Sequence, residues 1–153
     1  MLVGVSIGLR STGPKDTLRN LRRTGAFCVN VVGESQLDAM NETAADFGPE
    51  VDEASHVGLD LAAATVVDAP YVPEAPAVLE CSLYRELELP EASADFVVGR
   101  VEAVHLSPEL RMLPGTRYVD PQTFRPVGRL HGRAYGMLGE VRFLHRGGSG
   151  DDS

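Results

Sequence analysis

Apolar residues alternate or cluster in short β-branched runs along most of the chain, and few windows show the three- and four-residue recurrence of a helix. LVGVSIGL (2–9) and AFCVNVV (26–32), bounded by glycine and polar residues, read as strands. Between them KDTLRNLRRTG reads as a short helix. Asp16 or Thr17 is the expected N-cap, Arg22 and Arg23 complement the macrodipole in the last turn, and Gly25 is the stop. ESQLDAMNETAADFG (34–48) predicts a second helix with Leu37, Met40 and Ala44 on one face, and DEASHVGL (52–59) a third, shorter one.

Beyond that point the pattern turns extended. Pro70, Pro73 and Pro76 confine TVVDAPYVPEAP to an edge strand or a wandering connection. AVLECSLYRELEL (77–89) and DFVVGRVEAVHL (95–106) predict two long strands meeting at PEASA, with inward and outward residues alternating through LYRELEL. Residues 117–138 read as loop with brief strands, and the polar, glycine-rich tail predicts disorder over 147–153. No internal repeat is present. Five or six strands with short helices, in one domain over 1–146, point to a mainly β protein of barrel or closed-sandwich type.

Composition narrows the function. A chain of 153 residues suits one domain. With 22 acidic against 14 basic residues, a net charge of -8 and no basic run beyond Arg22-Arg23, nucleic acid is excluded as a partner. No window approaches the roughly 18 apolar residues of a membrane span, and the first residues lack the signature of a signal peptide. A soluble, cytoplasmic protein without a membrane partner is expected. Cys28 and Cys81 lie in apolar runs away from metal-ligand spacing, so they read as reduced core thiols and no metal is expected. His56, His105, His131 and His145 are scattered, with no nucleophile elbow or triad order among them, and His105 reads as a strand residue with a structural partner.

The candidate chemistry lies in RSTGPKDTLRN (10–20), which carries the only lysine of the chain, Lys15, where a strand gives way to a helix. Unpaired N–H groups and the positive end of the macrodipole favour a phosphate there, and the Lys15 ammonium and Thr17 hydroxyl add to the grip. Asp16 competes with an anion. A plain capped helix with a solvated lysine satisfies the same spacing.

VGVSIGLR followed by GPKDTLRNLRRTGAFCVNVV resembles the flavin reductase-like family, the FMN-binding split-barrel and flavoredoxin-like proteins. The resemblance continues in AMNETAADFGPEVDEASHVGL, in APYVPEAPAVLEC, in VVGRVEAVHL and in RPVGRLHGRAY, in the family's order from Val3 to Tyr135. It implies a Greek-key split β-barrel with FMN as cofactor. The FMN phosphate would be held at Lys15, Asp16 and Thr17, with Ser6, Ile7, Gly8 and Arg10 beside the ribityl chain and ring and Arg129 a further contact. NADH or NADPH would be the co-substrate, with His131 and Tyr135 as candidate nicotinamide contacts. His131 stands where the family commonly has a second glycine. The resemblance also implies a homodimer and a partner oxygenase receiving reduced flavin. Relative to the family, Met1 falls one residue ahead of a strand, so the first strands are expected to be lacking and the barrel partly open; a late start, a fragment and a true loss all fit. Two other readings fit the residues, a flavin- or haem-handling split-barrel protein without turnover and a truncated fragment with a structural or dimer-forming role.

Overall fold

The computed structural model describes residues 1–144 apart from 12, 46, 49 and 50. The tail expected to be disordered (147–153), His145, and Asp46 of the second predicted helix lie outside the described residues. The described elements run β1 (Leu2–Gly8), α1 (Asp16–Thr24), β2 (Ala26–Val31), a 3-10 turn (Glu34–Gln36), α2 (Leu37–Thr43), α3 (Glu53–His56), β3 (Ala62–Ala63) and β4 (Pro70–Tyr71). There follow β5 (Ala77–Leu89), a 3-10 turn (Pro90–Ala92), β6 (Ala94–Leu106), α4 (Pro121–Phe124), β7 (Val127–Arg129) and β8 (Tyr135–Met137). The fold is mainly β with short helices, as the hydrophobic pattern predicts.

Strands β5 and β6 form the long antiparallel ribbon on which the rest is built. β1 pairs with β6 on one side and β2 with β5 on the other, giving an antiparallel sheet in the order β1-β6-β5-β2 that curls into a half-barrel. Two small ladders accompany it, β3 with β4 and β7 with β8. The proline-spaced segment 65–76 is thus mostly connection, because proline withholds the donor a ladder needs.

The helix α1 lies across the sheet. Leu18 and Leu21, three apart and on one helical face, are buried with Ile7 of β1 and Val97 of β6, and Val5, Phe27 and Leu83 pack around them. Gly25 ends the helix in the left-handed conformation, φ 67°, with its N–H bonded to the carbonyl of Leu21 at 2.8 Å. The N-cap differs from expectation. It is Lys15, in extended conformation and with no side-chain cap bond, because Asp16 turns instead to Arg10 and Arg19.

Two further expectations are corrected. The ladder of β5 with β6 shifts register between Glu80 and Cys81 and again between Leu83 and Arg85, and each extra residue reverses which face the following side chains meet. Simple alternation through LYRELEL therefore fails: Glu86 is half-buried and bonded to Arg22, while Leu87 and Leu89 are exposed. The second helix is shorter than the expected 34–48, with Glu34–Gln36 forming a 3-10 turn and α2 ending at Thr43; Leu37, with Ala44 just past the end, lines one cleft with Arg129 and Tyr135, and Met40 lines another with Thr43 and Val72. The helix is thinly wedged between two clefts rather than set on the core by a single face.

Candidate functional site

At the end of β1 the backbone folds back on itself. Arg10 and Gly13 exchange both backbone hydrogen bonds, at 2.9 and 3.0 Å, closing a tight turn. Gly13 has φ 120°, a conformation that side chains resist. Pro14 follows, its fixed φ stiffening the approach to α1, and its carbonyl accepts from Arg19 Nη1 at 2.8 Å. Strand edge, turn and helix start are thus one continuous and locally braced corner.

Charge at this corner is arranged in favour of an anion. Asp16 accepts from Arg10 Nη1 at 3.4 Å and from Arg19, so two guanidinium groups offset the carboxylate that would otherwise repel a phosphate. Lys15 is exposed and makes no side-chain hydrogen bond or ion pair among the described residues. The first N–H groups of α1 have no intrahelical partner. On β1, Ser6 and Gly8 are exposed along the strand, while Ile7 between them is buried at 7% exposure in the core. Ser6 and Gly8 thus share the accessible side with the corner; Ile7 could offer a ligand its backbone alone.

The expected site residues do not all converge. Thr17 lines a cleft of about 820 Å³ between α1 (Asn20, Arg23), β2 (Phe27, Cys28) and the β3-β4 segment. Arg10 lines a smaller one of about 250 Å³ with Pro14, Arg22 and Asp95. Arg129 and Tyr135 lie beside α2, in a cleft of about 560 Å³ shared with Asp38 and Asn41. There the Tyr135 hydroxyl donates to Asn41 Oδ1 at 3.3 Å, and the Arg129 guanidinium lies 5.6 Å from the tyrosine ring centre while donating to the Gly132 carbonyl at 2.7 Å. His131 is exposed at the turn between β7 and β8. Among the described residues, no group of three His, Cys, Asp or Glu is placed to hold a metal, and no helix is long and apolar enough to cross a membrane.

A model of the flavin reductase like domain matches residues 1–120. The chain belongs to the flavin reductase-like family. A relative from Halalkalibacterium halodurans is 35% identical over 150 residues, which is 95% of this chain and 70% of that protein. Among solved structures of similar fold, nitrilotriacetate monooxygenase component B from Bacillus cereus superposes with a TM-score of 0.83 at 34% identity, covering 94% of this chain and 71% of that one. A protein with a split barrel domain from Shewanella frigidimarina superposes with a TM-score of 0.81 at 22% identity, over 95% of this chain and 70% of that one. The half-barrel of this flavin reductase-like chain is therefore a split-barrel fold.

One functional-looking cluster lay outside the sequence reading. Glu80, at 0% exposure, receives Thr65 N and Thr65 Oγ1 on Oε1, each at 2.8 Å, and Val66 N on Oε2 at 2.8 Å; His105 Nε2 also bonds to it. Burial by itself would raise this carboxyl, but the Thr65 N–H, the His105 ring, the Val66 N–H and the Thr65 hydroxyl together hold it down at about 2. His105 stacks on Tyr71, ring centres 5.2 Å apart, and so has the structural partner expected for it. The signal was legible: Glu80 is a carboxylate in the otherwise apolar run AVLEC, and such a group is buried only with partners. Cys28 and Cys81 are both free thiols, Cys28 half-buried and Cys81 fully so. Burial, then the charges of Glu80 and Cys81, pushes the Cys28 thiol up to about 11.

Proposed function

We propose that this protein is an FMN-binding flavin reductase that uses NADH or NADPH and works as a homodimer, handing reduced flavin to a partner oxygenase. The observation that carries the reading is the corner at the start of α1. It offers a Lys15 ammonium without a partner among the described residues, the first N–H groups of the helix and the Thr17 hydroxyl, with the charge of Asp16 already offset by Arg10 and Arg19. That donor set fits the phosphate of FMN, and the exposed edge of Ser6 and Gly8 leads straight into it. The likeness to a monooxygenase component B at 34% identity supports the oxygenase as recipient.

Bound FMN would supply the hydride-accepting chemistry. The chain's own task is to grip and orient. Lys15 and Thr17 would fix the phosphate end, the turn closed by Arg10 and Gly13 holds the strand edge at a set distance from the helix, and His131 and Tyr135 are the residues proposed to receive the nicotinamide nucleotide, with Arg129 beside the tyrosine ring as a further flavin contact. Positioning of this kind requires no acid or base from the protein.

The test is anaerobic addition of NADH or NADPH to purified protein with FMN. Bleaching of the flavin absorbance at a rate above that of free FMN is the expected result. Bound flavin without bleaching would make this a flavin-handling binding protein, and absence of flavin binding would overturn the reading.

A further inference from the structure

We infer that Glu80 is a latch: it holds the hairpin Ala62–Tyr71 against the sheet as one wall of the large cleft beside α1, and thereby controls access to that cleft. Ala64, Val67 and Ala69 of this segment line the cleft together with Asn20 and Arg23 of α1 and Cys28 of β2. The hairpin has little to hold it by itself. Its ladder pairs Ala62 with Tyr71 and Ala63 with Pro70, and one more bond runs from Ala64 N to the Ala69 carbonyl at 3.1 Å. An isolated two-stranded unit of that size is not stable in water.

The side chains that hold it to the sheet are few. Asn30 Oδ1 accepts from Val72 N at 2.9 Å just past the hairpin, and Tyr71 stacks on His105. Glu80 reaches furthest toward the tip, taking two successive backbone N–H groups at Thr65 and Val66 together with the Thr65 hydroxyl. His105 bonds to the same carboxylate and stacks on the hairpin's last residue, so one pair fastens both its tip and its base. Hydrogen bonds to an ionised group are the stronger kind, and here the accepting carboxylate is fully buried.

Cys28 reports on the latch from inside. Its Sγ lies 4.0 Å from the Ala69 carbonyl, so the hairpin sits over the thiol, whereas Cys81 is fully buried in the strand beside it. The second cysteine can therefore be reached only when the sheet itself opens. The inference is independent of the flavin reading, although the cleft meets the phosphate corner at Thr17.

The experiment is thiol labelling of the full chain with a maleimide, resolving Cys28 from Cys81 by peptide mass, in wild type, Glu80→Gln and Thr65→Ala. Glu80→Gln keeps the side chain's size and removes its charge. The rate at Cys28 should rise by about tenfold or more, the factor that follows from losing one charge-assisted hydrogen bond, while Cys81 stays slow. Thr65→Ala alters an exposed residue, so it leaves the core intact; it should speed Cys28 alone by a few-fold. A merely structural role for Glu80 would accelerate both cysteines together. Loss of the Glu80 charge also lowers the Cys28 thiol and quickens its labelling without any opening, so Thr65→Ala, which keeps that charge, is the deciding variant: parallel acceleration of both cysteines, or an unchanged Cys28 rate in folded Thr65→Ala, would overturn the latch.

Discussion

Lys15 stands at the N-cap of α1 with its charge uncommitted among the described residues, while Asp16 next to it is held by two arginines. A charge-assisted hydrogen bond from this ammonium to a phosphate is worth about 1.5–3 kcal/mol. Lys15→Ala should therefore weaken FMN binding roughly 10- to 150-fold. Riboflavin binding and thermal stability should hardly move, because an exposed lysine contributes little to folding. Fluorescence-quenching titrations of each flavin decide it, and equal loss of both flavins would refute the phosphate grip. A second residue-scale outcome concerns Gly99, where an added Cβ would collide with the Phe27 ring and lie 3.1 Å from Cys81 Cβ. Gly99→Ala should cost about 1–3 kcal/mol in urea unfolding through overpacking, and Phe27→Leu in the same chain should recover part of that loss. Lys15 and Thr17 were legible in the sequence as candidates, because a helix start is local in the chain. The sequence could not reveal that Arg10 turns back on Asp16, since that depends on the fold of the turn.

At the scale of elements, the helix α1 was readable almost to the residue, its C-terminal glycine included, because caps are short-range chemistry. The two long strands were readable for the same kind of reason, with alternation and β-branching on either side of a turn. What escaped was the phase within them. A bulge is chosen by how two strands fit, so the register shift at Tyr84 that turns Glu86 toward Arg22 leaves no mark in either strand alone. The attachment of the β3-β4 hairpin through Glu80 escaped similarly, joining positions about fifteen residues apart in sequence. That attachment has a pH signature. The Glu80 carboxyl is held at about 2 in the folded protein against a usual 4.5, so its contribution is complete above about pH 4.5 and is lost as pH falls toward 2. Thermal unfolding midpoints should drop through that window, and Glu80→Gln should flatten the slope there. An identical slope in the variant would count against this assignment.

For the molecule as a whole, the described sheet is half of a barrel, with β1 and β2 as its edge strands. Leu2, Tyr84, Leu87, Val104 and Leu106 of its strands are exposed. Exposed apolar side chains gathered on one sheet mark a surface suited to a second copy of the chain. Light scattering should give about twice the mass of one chain, and a monomer at every concentration would oppose the homodimer. Fold class was legible at this scale because short β-branched runs leave few architectures open; the separation of Arg129 and Tyr135 from the Lys15 corner was not, since it is set by how β7 and β8 settle beside α2. The antiparallel pairing of β1 with β6 bears finally on how the chain is made. Leu2–Gly8 leaves the ribosome roughly ninety residues before its partner Ala94–Arg100, an interval of about 5–20 s at ordinary rates of synthesis. During that wait the strand stays apart from β6, whereas β5 and β6 meet across a tight turn almost as soon as both emerge. Translation therefore sets an order of assembly, ribbon first and its pairing with β1 afterwards, and pausing between them lengthens the time for which a chaperone, or another nascent copy, can take hold of β1 before β6 arrives.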